Sequence, residues 1–288
     1  MSIKDVPVVT VGPGTQPAEG DGAELQYIDM PRGMSMYRAP SIPDPESVAS
    51  LTGARAAMDW LQGALDGWDG RAALADISAL DEESRALVNQ ILGEGEVSVK
   101  FTGDFRSHTQ EAVLAGVWRT FYFDPEGRVT HDLLEVADAP FIARLGGLGR
   151  DRQPSRLTAA DAPQEAMNAR AILTEIADQV QRRASGDEPH VINLSLLPVS
   201  DADLALLDEA LGRGPAEVLS RGYGNCVVSS TRVRDVWWVR YYNSMSTLIL
   251  NSIELTELPQ VVKAAPEDIR DSAARLAVLL EPYWKDVH

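Results

Sequence analysis

The sequence predicts an α+β protein in which a unit of helices and antiparallel strands occurs twice in tandem, with an N-terminal extended arm and a C-terminal helix. Three observations carry this. Shifting the chain against itself by 119 residues, without a gap, lays Leu92-Gly93-Glu94-Gly95 on Leu211-Gly212-Arg213-Gly214 and Val117-Trp118 on Val236-Trp237. The same shift superposes Tyr122 on Tyr241, Glu135 on Glu254 and Pro140 on Pro259, giving 12 identities between residues 80–140 and 199–259. Apolar character follows the same offset, with Val97, Val99, Val129 and Leu134 falling on Ala216, Val218, Leu248 and Ile253. A period this long describes two domain-sized copies rather than a solenoid.

The boundaries follow from composition: residues 1–45 as the arm, rich in Gly, Pro and Met, 46–145 as the first repeat domain, 146–160 as a linker, and 161–288 as the second repeat domain with its C-terminal helix. In the first copy, Pro45-Glu46 precedes Val48, Leu51, Met58, Leu61 and Leu65 at three- and four-residue spacing, an amphipathic helix. The second copy starts the same way at Pro163-Gln164-Glu165. Asp81 or Ser84 is placed to cap a helix through Ala86, Leu87 and Ile91 that Gly93 ends, and Ser200 and Asp203 repeat this up to Leu211 and Gly212. Strand patterns follow at Val97-Val99-Phe101, Val113–Phe123 and Val129–Val136, the last two joined by the turn Asp124-Pro125-Glu126-Gly127. In the second copy the corresponding turn, Asn243–Ser246, joins Val236–Tyr242 to Thr247–Leu255. The C-terminal helix opens at Pro266 and carries Ile269, Ala273, Leu276, Leu279 and Leu280 on its apolar side.

Bulk properties narrow the function. Mean hydropathy is -0.15 and no apolar run approaches the roughly 18 residues a membrane helix requires. The start of the chain lacks the basic and apolar regions of a secretory signal, and the single cysteine, Cys226, excludes an internal disulfide framework; both point to the cytoplasm. A formal charge of -17 repels phosphate backbones and anionic lipids, so partners are expected to be neutral or basic. Nucleic acid and membrane insertion are both excluded as partners.

Catalytic and metal chemistry find little purchase. His108, His131, His190 and His288 have no ligand spacing, and no catalytic or metal residues, and no cofactor, are assigned. Gly12-Pro13-Gly14 and Gly146-Gly147-Leu148-Gly149 lack the spacing and the strand–helix context of a phosphate loop and read as turn and linker. Cys226, in the glycine-rich Gly222-Tyr223-Gly224-Asn225-Cys226, reads either as a small buried hydrophobe at a strand start or as a reactive thiol. Strand alternation puts Trp237 and Tyr241 on one face and Trp238 and Tyr242 on the other. Trp238 corresponds to Arg119 of the first copy, a residue type that normally stays in water, so Trp238 is the better candidate for an exposed contact aromatic, the alternative being packing under the N-terminal segment.

Gly12–Pro17, Met30–Pro40, Gly222–Cys226, Val236–Ser244 and Leu248–Leu255 together resemble the HupH/HyaF hydrogenase expression proteins, needed to assemble uptake-type nickel–iron hydrogenases. The resemblance implies a cytoplasmic, non-catalytic maturation factor or chaperone that accompanies the iron–sulfur small subunit before its export, beside a thioredoxin-like companion. It brings no catalytic residues. By position, Tyr37, Arg38, Gly224, Asn225, Cys226, Trp238, Tyr242 and Asn243 become the candidate partner-binding residues. The competing reading is an iron–sulfur or redox carrier using Cys226. A flexible Met-containing arm and the acidic surface suit an adaptable contact with a basic segment such as a twin-arginine leader.

Overall fold

The computed structural model describes residues 50–154, 166–222 and 224–284. The segment expected to open the first helix at Pro45, the extended arm with Tyr37 and Arg38, the Gly12–Gly14 turn and His288 lie outside the described residues. The described chain holds six α-helices and ten strands. They are α1 Thr52–Asp66, β1 Ala73–Asp76, α2 Glu82–Leu92, β2 Val97–Thr102, β3 Arg106–Glu111, β4 Val117–Phe123, β5 Val129–Val136 and α3 Phe141–Gly147. After these come α4 Ala169–Arg182, β6 His190–Asn193, α5 Asp201–Leu211, β7 Arg213–Ser220, β8 Asn225–Thr231, β9 Val236–Tyr242, β10 Leu248–Leu255 and α6 Pro266–Trp284.

Local chemistry explains the helix ends. The Asp81 carboxylate accepts the Ser84 N–H at 2.8 Å and starts α2, which stops at Gly93 with φ 55°. Ser200 and Asp203 form a reciprocal capping box at α5, which stops at Gly212 with φ 61°. In α1, Ala54, Ala57, Met58, Leu61 and Leu65 recur at three- and four-residue spacing and are all buried.

All ten strands form one antiparallel sheet in the order β1-β5-β4-β3-β2-β7-β8-β9-β10-β6. The outer five on each side are connected alike, and the halves meet at β2 and β7. There Val97 pairs with Ser220, Val99 with Val218 and Phe101 with Ala216. Under the 119-residue offset this pairing maps onto itself, with Val99 facing its own counterpart, so a local two-fold axis runs between the two valines. The expected helix-backed antiparallel sheet of each copy is therefore half of a continuous one.

Helices α1, α2 and α6 bury Met58, Leu61, Val88, Ile269 and Leu276 against Val117, Leu134 and Val136 on one face of the first half. On the second half, α4 and α5 bury Ile172, Ile176 and Leu207 against Val236, Trp238, Ile253 and Leu255. On the opposite face α3 lies across the seam, over Val99, Val218, Trp118 and Trp237. The run Gly146-Gly147 sits on this helix: a Cβ at Gly146 would stand 2.2 Å from that of Ala216, and one at Gly147 would stand 2.8 Å from the Trp237 ring. Glycine there lets α3 lie close on the sheet, which is why Gly146 and Gly147, read as the start of the linker, are buried, whereas Leu148 beyond them is 48% exposed. The two tryptophans are held alike, Trp118 Nε1 donating to Ala137 O at 2.9 Å and Trp237 Nε1 to Thr256 O at 3.1 Å, each 19 residues downstream. No helix of the described residues is long and apolar enough to cross a membrane.

Candidate functional site

Gly224, Asn225, Tyr242 and Asn243 converge at one end of the second half. Gly224 turns into β8 with φ 95°, and Asn225 is paired with Tyr242 across β8 and β9. Asn243 closes the following hairpin, its side-chain oxygen accepting the N–H groups of Met245 and Thr247, each at 2.9 Å. The same turn leaves Met245 83% exposed, with Leu248 and Ile249 also open to solvent.

Cys226 and Trp238 are not at this surface. Cys226 is 1% exposed, inside the central cluster beside Val228 and Val239. Burial pushes its thiol up to about 12, against the lowering effect of a hydrogen bond shared with Tyr241. A buried thiol so far above neutrality holds little thiolate to act as a nucleophile. Trp238 is 9% exposed, under α4 and α5, and its indole N–H donates to Asn251 Oδ1 at 2.5 Å. The expectation of an exposed contact aromatic is corrected here, and the cause is visible in the first half. Arg119, the counterpart whose type suggested a wet position, is itself buried, its guanidinium forking onto Asp132 at 2.8 and 2.6 Å and reaching Asn89. Both faces of the sheet are core at this position, so an ion pair in one half stands where an indole–amide pair stands in the other.

The remaining polar groups are spread out. Glu111 and Glu135 are buried, and burial pushes both carboxyls up to about 7, although backbone N–H groups pull the other way. Glu135 accepts the Phe141 N–H at 3.0 and 3.1 Å, which ties β5 to the start of α3. Glu254, its 119-shifted counterpart, is likewise raised by burial. His108 is lowered by burial and then by Lys100. His190 meets Glu175 at 2.8 Å. Among the described residues no three His, Cys, Asp or Glu side chains gather as metal ligands. What the site offers is a surface: a glycine-entered strand start, a neutral hairpin and exposed aliphatic side chains. Met245 and Ile249 escaped the sequence reading, although comparing the copies signals them, since Glu126 and Thr130 stand in their places.

A family model described as "HupH hydrogenase expression protein, C-terminal conserved region" matches residues 72–147 and 166–283. The chain belongs to the HupH family. Among relatives, the hydrogenase expression/formation protein HoxQ of Cupriavidus necator is 45% identical over 98% of each chain. The hydrogenase expression/formation protein HupH of Rhizobium leguminosarum bv. viciae is 44% identical over 74% of this chain and 75% of its own. The hydrogenase-1 operon protein HyaF of Escherichia coli K12 is 32% identical over 93% of each. A solved structure, hydrogenase expression protein HupH from Thiobacillus denitrificans, is 32% identical and covers 40% of this chain and 93% of its own, with a TM-score of 0.36.

Proposed function

We propose that this HupH-family chain is a non-catalytic maturation factor for an uptake-type nickel–iron hydrogenase, holding the iron–sulfur small-subunit precursor in the cytoplasm before export. The observation that carries this reading is the extent of the kinship: relatives named for hydrogenase expression and formation match over nearly the whole chain. The charge of -17 suits a basic partner segment, and a thioredoxin-like companion belongs to the same proposal. A carrier role through Cys226 is disfavoured by the burial of its thiol.

The architecture that goes with this reading is an internal duplication, with the arm at 1–45, the copies at 46–145 and 161–288, and a linker at 146–160. It is supported by caps, hairpins and tryptophan bonds recurring at the same 119-residue offset, and by the self-matching pairing of β2 with β7.

Immobilised full-length protein should retain the purified cognate small-subunit precursor, and the Cys226→Ala variant should retain it equally. No retention at micromolar concentration would sink the proposal, and loss of retention with Cys226→Ala would restore the carrier reading.

A further inference from the structure

The two outer ends of the sheet are built to one plan. In each, a serine after the edge strand takes a backbone N–H of the neighbouring strand: Ser78 Oγ that of Asp132 at 2.9 Å, Ser195 Oγ that of Asn251 at 2.8 Å. In each, the edge strand covers only half of its neighbour, β1 pairing with Leu133–Val136 and β6 with Ser252–Leu255. In each hairpin the register skips one residue, Thr130 in the first half and Ile249 in the second.

On this shared backbone three positions differ in the same direction. Ala79 follows Ser78, whereas Leu196, 81% exposed, follows Ser195. Glu126 and Thr130 of the first hairpin correspond to Met245 and Ile249 of the second, and Ile249 is 60% exposed. The first tip is held by charge, Arg128 bonding Asp124 at 2.7 Å and Glu126 at 3.3 Å, while Asn243 alone closes the second through neutral bonds. The fold does not require Leu196, Met245 or Ile249, because the first half carries no large apolar side chain at the matching places; Leu248 matches Val129, itself 54% exposed, and lies on the same hairpin as Met245 and Ile249. Apolar surface kept in water where the matched positions lack it marks a contact.

We infer that the outer end of the second half, formed by Leu196, Met245, Leu248 and Ile249, is a docking surface for an apolar segment of a positively charged polypeptide. Resting on the function proposed above, that polypeptide is the small-subunit precursor. Charge selects the occupant: at -17, a second copy of this chain is repelled, whereas a basic partner is drawn in and then held by apolar contact. The skipped residue in β10 and the short β6 discourage addition of a further strand, so side chains make the contact.

The test transplants the first half's residues in the full-length protein as Leu196→Ala, Met245→Glu and Ile249→Thr. The probe is the purified cognate small-subunit precursor, titrated against each protein. The expected result is affinity at least about tenfold weaker, with melting temperature and sedimentation unchanged. If the triple variant melts below the wild type, single Met245→Glu at the exposed tip is expected to weaken binding in the same direction. Undiminished binding by the variants overturns this inference and leaves the proposed function standing; a precursor that fails to bind the wild type overturns both. A wild type that sediments as a dimer and a triple variant that sediments as a monomer would identify a second copy as the occupant and overturn the inference as well.

Discussion

Replacing Arg119 with Leu should cost about 3 kcal/mol of stability, most of it recovered by also replacing Asp132. The guanidinium and carboxylate are both buried and joined by two short bonds, so removing the cation strands a charge in a medium that penalises it. Breaking such a pair from one side costs roughly 3–5 kcal/mol. The lower end applies here because Arg85, half exposed, still approaches Asp132 at 3.9 Å. With Asp132→Leu added, no isolated charge remains, and the second half already fills the matching place with the neutral pair Trp238 and Asn251. The double variant should therefore lie within about 1.5 kcal/mol of wild type. Urea titrations of wild type, both single variants and the double, at constant m-value, give the coupling energy directly. Additive losses would refute the reasoning, since they would mean that the two charges do not depend on one another.

Three further outcomes follow from the geometry. Burial raises Glu135 from 4.5 to about 7, so between those values the folded chain holds a proton that the unfolded chain has released, and stability falls as pH rises. Glu135→Gln keeps an oxygen for the Phe141 N–H and should melt above wild type at pH 8 by up to about 3 kcal/mol, with the advantage gone at pH 5; an equal advantage at both pH values would remove burial as the cause. Asp203 accepts N–H groups from Asn168, Ala169 and Ser200, bonds that outweigh its burial and hold it at about 2, so Asp203→Ala should destabilise by about 3 kcal/mol and uncouple α4 from α5, read by hydrogen exchange. Gly116→Val forces a β-branched residue to φ 76° with its Cβ 2.5 Å from Ile269, and should cost several kcal/mol in thermal melts, with loss of α6 protection.

Much of this fold was legible because its signals are local. Asp81, Ser200, Gly93 and Gly212 act through their own side chains or backbone, and the four-residue turns at Asp124 and Asn243 join strands that are neighbours in sequence. Strand β3, Arg-Ser-His-Thr-Gln-Glu, went unread because its sheet-facing positions are Ser107, Thr109 and Glu111, with Thr109 bonding Thr120 at 2.8 Å instead of burying a hydrocarbon. The β2–β7 seam joins strands more than a hundred residues apart, and nothing in either strand alone announces that register. The site was half legible. Gly224, Asn225, Tyr242 and Asn243 do meet, but Cys226 and Trp238 face inward. The inference for Trp238 failed at its premise, that an arginine position must be wet; Arg119 is dry because Asp132 lies beside it.

In the function proposed above, this chain binds its partner and does no chemistry of its own. Isothermal titration of the full-length protein with purified cognate small-subunit precursor, at low and at moderate salt, tests it most directly. Saturable 1:1 binding at micromolar affinity or tighter is expected, weaker at the higher salt because acidic surface meets basic segment, with both polypeptides recovered unmodified. Absence of binding, or a precursor recovered covalently altered by this protein, would contradict it.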